Sequence, residues 1–329
     1  MQKEGSIVRV QNLNVWFRAR TRFFDFWRNA SRTFIKAVDG VSFDLNKGET
    51  LALVGESGSG KTTVARALMQ LIRGAEGNIW FDGRNIVRTN RAERLRLRTQ
   101  IQMIFQDPFD AMNPRETVLK IVAEPLNIHR KDLDAKRRVA LVSKALRSVG
   151  LSPPEDFLNR YPHELSGGQR QRVLIAGALV LDPILLIADE PVSMLDASLK
   201  VEILNLLVEL KRKRPLTYLL ITHDLALTRY VADRIAIMYL GRILEIGPSQ
   251  SVLASPLHPY TQALINVVPT LDRVWQQKQV LAGEIPHPSN IPLGCRFHPR
   301  CPEATGLCSK SQPAMKETEG QRLVACHLR

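Results

Sequence analysis

Two stretches near the start of the chain, 6–17 and 35–54, carry the short apolar–polar alternation of half-buried strands. They contain Ile7-Val8-Arg9-Val10, Val41-Ser42-Phe43-Asp44-Leu45 and Leu51-Ala52-Leu53-Val54. Residues 18–34 interrupt the pattern with an insertion rich in Arg and aromatics. From 61 onward helical spacing alternates with short apolar runs. Ile184-Leu185-Leu186-Ile187-Ala188 and Tyr218-Leu219-Leu220-Ile221 are continuous apolar runs followed by polar residues. Such runs predict buried parallel strands with functional groups at their carboxyl ends. Residues 116–160 read as mostly helical. Residues 196–213 predict an amphipathic helix with Val201, Leu204, Leu207 and Val208 on one face, and Lys211 to Arg214 at the end where cations suit the dipole. After about 250 prolines become frequent and cysteines appear, which predicts a separate C-terminal appendage. No internal repeat is visible.

Composition narrows the class. The 329 residues are 44% hydrophobic and 24% charged, enough for a packed core and unlike a disordered chain. Lys and Arg total 46 against 32 Asp and Glu, a net charge of +14. That balance suits nucleotide, nucleic acid or an anionic membrane surface without choosing among them. No apolar run reaches the ~18 residues of a spanning helix, because the longest candidate, from Val173 to Ala188, is broken by Asp182 and Pro183. Met1-Gln2-Lys3-Glu4 lacks an apolar signal core, which points to the cytoplasm.

The first chemical motif is Gly55-Glu56-Ser57-Gly58-Ser59-Gly60-Lys61-Thr62, followed by Thr63 and directly preceded by the strand ending at Val54. Its glycines let backbone N–H groups turn toward phosphate oxygens with no Cβ in the way. Lys61 offers a point charge to the terminal phosphates and Thr62 a hydroxyl to Mg²⁺. The helix starting near Gly60 aims its positive end at the anion. Asp189-Glu190 closes a buried apolar strand. Asp189 is the candidate metal-side acid, and Glu190 the candidate general base or water positioner. In isolation the same pair could be an ordinary helix cap. The phosphate loop upstream favours the catalytic reading.

Leu165-Ser166-Gly167-Gly168-Gln169 precedes a second helical run, with Ser166 placed as N-cap and the glycines exposing backbone donors. One nucleotide does not need two anion sites from one subunit. The economical arrangement is a head-to-tail dimer, each nucleotide held between one subunit's phosphate loop and the other's Ser-Gly-Gly segment.

Together with Gln106, Asp196 and His223, these motifs resemble the nucleotide-binding subunit of an ATP-binding cassette (ABC) transporter, over roughly residues 7–250. The resemblance implies a RecA-like α/β P-loop ATPase core with an antiparallel β subdomain and a helical subdomain at about 107–165. It implies that Gln106, in Phe105-Gln106-Asp107-Pro108, touches Mg²⁺ or water and senses the transmembrane partner. Asp196 would lie at the dimer seam, and His223 would reach the γ-phosphate. The family places an adenine-stacking aromatic just after the first strand, here Phe17, with Trp16 the next choice and a core role the competing reading. Met194 stands where the family commonly has a smaller residue, with Asp196 still in register.

Ser255 to Leu264, Gly294 to Pro302, Ala37 to Phe43, and Met112-Asn113-Pro114-Arg115 resemble the oligopeptide/dipeptide branch of ABC importers. That resemblance implies a C-terminal extension over 251–329, a second related ATPase subunit, two transmembrane permease subunits and, indirectly, an extracytoplasmic solute-binding protein. It also implies a peripheral site at the cytoplasmic face of the membrane. Residues 1–294 contain no cysteine, and the tail holds Cys295, Cys301, Cys308 and Cys326, spaced C-x5-C-x6-C-x17-C. Tight C-x2-C zinc knuckles are absent from this spacing. Four thiols with proline after Cys301 look more like an iron–sulfur ligand set, and the importer resemblance favours a [4Fe–4S] cluster, with zinc the alternative. His298 and His327 could be alternative ligands and are read as surface residues.

Arg84, Arg88, Arg91, Arg94, Arg96 and Arg98 crowd a short stretch, and the insertion mixes Arg18, Arg20, Arg22, Arg28 and Arg32 with Phe23, Phe24, Phe26 and Trp27. Nucleic-acid binding by a soluble ABC-type ATPase is the competing functional reading. A solvated face, or one close to anionic headgroups, suits a membrane-docked ATPase better. Repair ATPases that share the fold carry long insertions between phosphate loop and signature, and translation ATPases carry two cassettes. This chain has neither.

Overall fold

A computed structural model of the chain describes residues 5–18, 34–107, 111–267 and 283–329. Most of the basic–aromatic insertion, together with Pro108, lies outside the described residues. The chain divides into two units. The first comprises 1–46, 50–87 and 222–329, and the second 47–49 and 88–221.

In the first unit, β1 (Ser6–Arg18) and β2 (Phe34–Asn46) pair antiparallel, as their alternation predicts. Val8 and Val10 point inward, and after a register shift so do Leu13 and Val15. The odd step from 10 to 13 is the work of that irregularity, where Asn12 takes a positive φ of 49°. It re-phases the strand so both halves bury apolar side chains. β3 (Thr50–Val54) is buried on both faces and leads through the phosphate loop to α1 (Lys61–Leu68). β4 (Glu76–Phe81) and β5 (Arg84–Asn85) complete a sheet ordered β2-β1-β4-β5.

The second unit opens with α2 (Arg91–Gln100), capped by Asn90 and Glu93, which each accept the other's backbone N–H at 3.0 and 2.8 Å. No residue of α2 is buried, so the arginines at 91, 94, 96 and 98 occupy a largely solvated helix. β6 (Ile101–Ile104), then α3 (Val118–His129), α4 (Ala135–Ser148) and α5 (Glu155–Leu158) follow, filling the stretch predicted to be helical. α6 (Gly167–Leu179), β7 (Leu185–Asp189), α7 (Ala197–Lys213) and β8 (Thr217–Thr222) complete the unit. The strands run parallel in the order β8-β7-β6. The inner face of α7 is rotated from the expectation. Ile203, Leu204, Leu206, Leu207 and Leu210 are buried, whereas Val201 is exposed. At 100° per residue Val201 falls roughly 150° from the centre of that stripe.

The chain returns to the first unit through α8 (Leu225–Val231), β9 (Arg234–Tyr239) and β10 (Arg242–Pro248). Leu240 and Gly241, with φ 41° and 83°, make the tight turn between these two strands. α9 (Ser249–Ala254), α10 (Pro259–Val267), α11 (Gly306–Lys310), β11 (Lys316–Thr318) and β12 (Arg322–Val324) follow. In this unit the strand order is β11-β12-β10-β9-β3, with β3 and β9 parallel. The residues after 250 are therefore not a unit of their own. β12 adds to β10, with Val324 opposite Glu245, and Ala325 N–H donates to the Leu244 carbonyl at 2.8 Å. Phe297 is fully buried against Tyr239 and Tyr260, with ring centroids 5.5 and 5.2 Å away. A short Pro-rich segment buries too little by itself, and it gains a core by sharing one.

Candidate active site

The phosphate loop sits where its motif predicts, between β3 and α1. Gly58 and Gly60 have φ of 78° and 103°, the left-handed region that L side chains rarely enter. A Cβ on Gly55 would run into the Met238 carbonyl, and one on Gly60 into the Ala37 carbonyl. The loop is thus confined between β2 and β9. The Lys61 ammonium is buried within it, donating to the carbonyls of Gly55 at 2.7 Å and Glu56 at 2.9 Å and to Ser59 Oγ at 3.3 Å. Ser59 N–H donates to the Glu56 carbonyl, and Gly241 N–H to the Ser59 carbonyl. Ser57 belongs to the same turn, and Thr62 and Thr63 lie half-buried at the first turn of α1. A cation ringed by loop oxygens, with a helix N-terminus behind it, has the chemistry to seat a polyanion.

In the second unit Asp189 ends β7 and is buried. Glu190 follows with φ 47°, and its N–H donates to the Ile221 carbonyl at 2.9 Å. This turn takes Glu190 off the strand into a half-buried position. There Gln106 Nε2 donates to Glu190 Oε2 at 3.1 Å. The structure therefore joins two residues 84 positions apart that the sequence linked only through resemblance.

Ser166 caps α6, as predicted. Its Oγ accepts from Gln169 N–H at 3.3 Å, and Gln169 Oε1 accepts from Ser166 N–H at 3.0 Å. Leu165 is buried and Gly167 half-buried. Gly168 is buried where a Cβ would press on the Leu199 side chain at 3.0 Å, so glycine permits that approach to α7. Asp196 is the exposed N-cap of α7, and Met194 beside it is exposed as well.

In the first unit, His223 is exposed just after β8, and the next residue, Asp224, caps α8 through the N–H groups of Ala226 and Leu227. Trp16 and Phe17 are both exposed on β1, which removes the core reading for either. The Trp16 ring meets Phe34 at 6.4 Å, and Lys36 Nζ lies 4.7 Å from its centroid.

Sequence reasoning missed how the tail reaches this loop. Arg300 donates to both oxygens of Glu56, at 2.9 and 3.2 Å, and Glu56 N–H donates to Tyr260 Oη at 3.1 Å. Arg296 donates to Asp39 Oδ2 and to the Leu240 carbonyl, and Arg242 donates to the same Asp39 oxygen at 2.9 Å. Burial works against the Asp39 carboxylate, but the charges of Arg296 and Arg242 outweigh it and hold its pKa below the ordinary value. Glu56 and Asp39 carried no pairing signal in the sequence, because their partners lie 244 and 257 residues away.

The four cysteines are free thiols, three of them buried. Cys295 N–H donates to the Cys308 carbonyl at 2.7 Å, and Thr305 Oγ1 lies 3.3 Å from Cys308 Sγ. Burial raises the Cys295 and Cys301 thiols, the latter to about 11. Cys308 and Cys326 add to the rise at Cys295, and Cys295 and Cys308 to that at Cys301. Cys295 and Cys308, with Cys301 packed against them, belong to the buried cluster around Tyr239, Tyr260 and Phe297. Among the described residues, no group of three or more His, Cys, Asp or Glu side chains is gathered as a seat for a metal ion. His298 and His327 are half-buried rather than on the surface, hydrogen-bonded to the carbonyls of Cys295 and Ser311.

Comparison with known proteins defines the class. Residues 38–193 match the ABC transporter family, and 244–308 match the oligopeptide/dipeptide transporter C-terminal region. A solved dimer of MJ0796, a bacterial ABC transporter cassette, is 27% identical and covers 74% of this chain and 98% of its own, with TM-score 0.63. The cbiO1 subunit from Clostridium perfringens, part of an ABC transporter complex, is 29% identical over 77% of this chain and 92% of its own, with TM-score 0.64. The fold is that of an ABC ATPase.

Among curated proteins, the oligopeptide transport ATP-binding protein AppF of Bacillus subtilis (strain 168) is 48% identical over 99% of this chain and 98% of its own length. The probable peptide ABC transporter ATP-binding protein y4tS of Sinorhizobium fredii (strain NBRC 101917 / NGR234) is 44% identical over 92% and 85%. This chain belongs to the ATP-binding subunits of oligopeptide/dipeptide-type ABC importers. It is an ATP-hydrolysing motor subunit whose activity is coupled to transport.

Proposed function

We propose a division of labour among this chain's residues in that activity. The loop from Gly55 to Thr63 holds the phosphates, with Lys61 countering the terminal charge. Glu190 takes or orients the proton of the attacking water. Gln106 holds Glu190 in place and passes on the state of the membrane partner. The hydrogen bond from Gln106 to Glu190 carries this reading, because it gives the base a neighbour able to report on a second site. Asp189, Thr62 and Gln106 are the oxygen donors for Mg²⁺, which when bound would neutralise charge on the phosphates. His223 approaches the γ-phosphate, and Phe17, with Trp16 the alternative, stacks on adenine. Leu165 to Gln169 and Asp196 act in trans on the nucleotide of a second ATPase subunit.

The assembly is a pair of related ATPase chains with two permease subunits at the cytoplasmic face of the membrane, fed by a solute-binding protein. The pair is a heterodimer, with a homodimer the alternative. The relatives' names support peptides as cargo, and oligosaccharides are the second choice because this motor does not touch the solute. Purification of the chain with its neighbours tests the assembly. Hydrolysis by the isolated chain should be slow and should rise when a second ATPase subunit joins. Fast, concentration-independent hydrolysis by the monomer would refute the shared site.

For the tail, the cysteine spacing and the importer resemblance favour a [4Fe–4S] cluster, with zinc the alternative. All four thiols are free, and among the described residues they are not gathered as a seat for a metal ion. Such a cluster would staple Cys295, Cys301, Cys308 and Cys326. Anaerobically purified protein should be brown, with about four irons per chain. Stoichiometric zinc without colour would decide for the alternative.

A further inference from the structure

An acidic residue is an unexpected choice inside a loop that binds a polyanion. Glu56 follows the first glycine of the phosphate loop, and a bare carboxylate there would repel nucleotide phosphates. The structure answers that charge from the tail. Arg300, buried at the end of the short turn from His298 to Arg300, forks onto both Glu56 oxygens at 2.9 and 3.2 Å. Tyr239 Oη lies 3.4 Å from the same guanidinium. Tyr260, fully buried, takes the Glu56 backbone N–H at 3.1 Å. The Glu56 carbonyl in turn accepts from Lys61 Nζ and from Ser59 N–H. Glu56 is thus held at three points, and one of them is the lysine that meets the nucleotide.

We propose that Arg300 is a positioning residue for nucleotide binding: it neutralises Glu56 and, with Tyr260, fixes the phosphate loop that presents Lys61. The segment from Cys295 to Cys301 thereby becomes part of the nucleotide site's support, although it lies more than 230 residues away in sequence. This rests on the phosphate-loop reading of residues 55–63. Planar bidentate pairing is a task for arginine rather than lysine, so the residue type matters as well as its charge.

The test uses the full-length chain titrated with a fluorescent ATP analogue and Mg²⁺, and the assembled transporter for kinetics. Arg300→Ala strands the Glu56 charge and should weaken binding on the order of tenfold. In the transporter KM should rise with kcat nearly unchanged. Glu56→Gln in the Arg300→Ala background should recover most of the lost affinity, because the stranded charge is gone. Arg300→Lys should fall between wild type and alanine. A purely structural role would lower the urea midpoint of Arg300→Ala while leaving nucleotide affinity and KM at their wild-type values. Unchanged affinity in Arg300→Ala, or a double variant no better than Arg300→Ala, overturns the proposal. Wild-type chain that binds no nucleotide would instead overturn the phosphate-loop reading beneath it.

Discussion

Replacing Asp39 with alanine should loosen the C-terminal segment from the first unit. Asp39 Oδ2 serves two guanidinium groups, and the Arg296 side chain is only 4% exposed. Removing the acid leaves that cation buried, and a broken buried ion pair typically costs about 3–5 kcal/mol. Arg296 keeps its bond to the Leu240 carbonyl, and Arg242 is partly open to water. The lower end therefore applies, about 3 kcal/mol, or roughly a 150-fold rise in the local opening constant. Hydrogen exchange reads this at amides that tie the segment down, such as Cys295 N–H on the Cys308 carbonyl and Ala325 N–H on the Leu244 carbonyl. Urea unfolding gives the global change. Asp39→Ala combined with Arg296→Met leaves no stranded charge at Arg296 and should recover much of the loss. Wild-type exchange rates in Asp39→Ala, or a double variant less stable than the single one, would refute the reasoning.

Glu190→Gln should keep MgATP affinity and lower hydrolysis in the assembled transporter by about a hundredfold or more; wild-type turnover would remove Glu190 as the base. Burial lowers the His258 pKa from 6.5 to about 3, with Arg329 adding to the effect, while His258 Nδ1 accepts from Tyr260 N–H and His258 N–H donates to the Glu245 carboxylate. The unfolded chain therefore takes up the proton first. Stability is full above about pH 6.5 and falls as pH drops toward 3, by about 2 kcal/mol at pH 5. His258→Asn keeps an acceptor for the Tyr260 amide but does not titrate, so its urea midpoint should change less between pH 7 and pH 5; an unchanged pH dependence would show that His258 is not the titrating group. If the tail carries the proposed cluster, Cys308→Ser should bleach its absorbance, and colour equal to wild type would remove Cys308 from the ligand set.

The chemistry was legible in the sequence wherever it is local. Gly55 to Thr62 is contiguous, and its glycines follow from backbone geometry that any chain must obey. Ser166 and Gln169 cap α6 through a box of four residues. The apolar runs before Asp189 and before His223 are short and bounded by polar residues, which favoured buried strands. Periodicity also separated helix from strand, and it failed at Val201, because which stripe of α7 turns inward depends on what packs against it. Tertiary structure decided the rest. No spacing could announce that β12 adds to β10, or that Phe297 completes a core with Tyr239 and Tyr260. A tail of prolines and cysteines reads as an appendage until the partner surface is present. Asp39 and Glu56 looked like ordinary charges of a strand and a loop. Their roles arise from Arg296 and Arg300, because an ion pair depends on distance in space and leaves no mark on local sequence pattern.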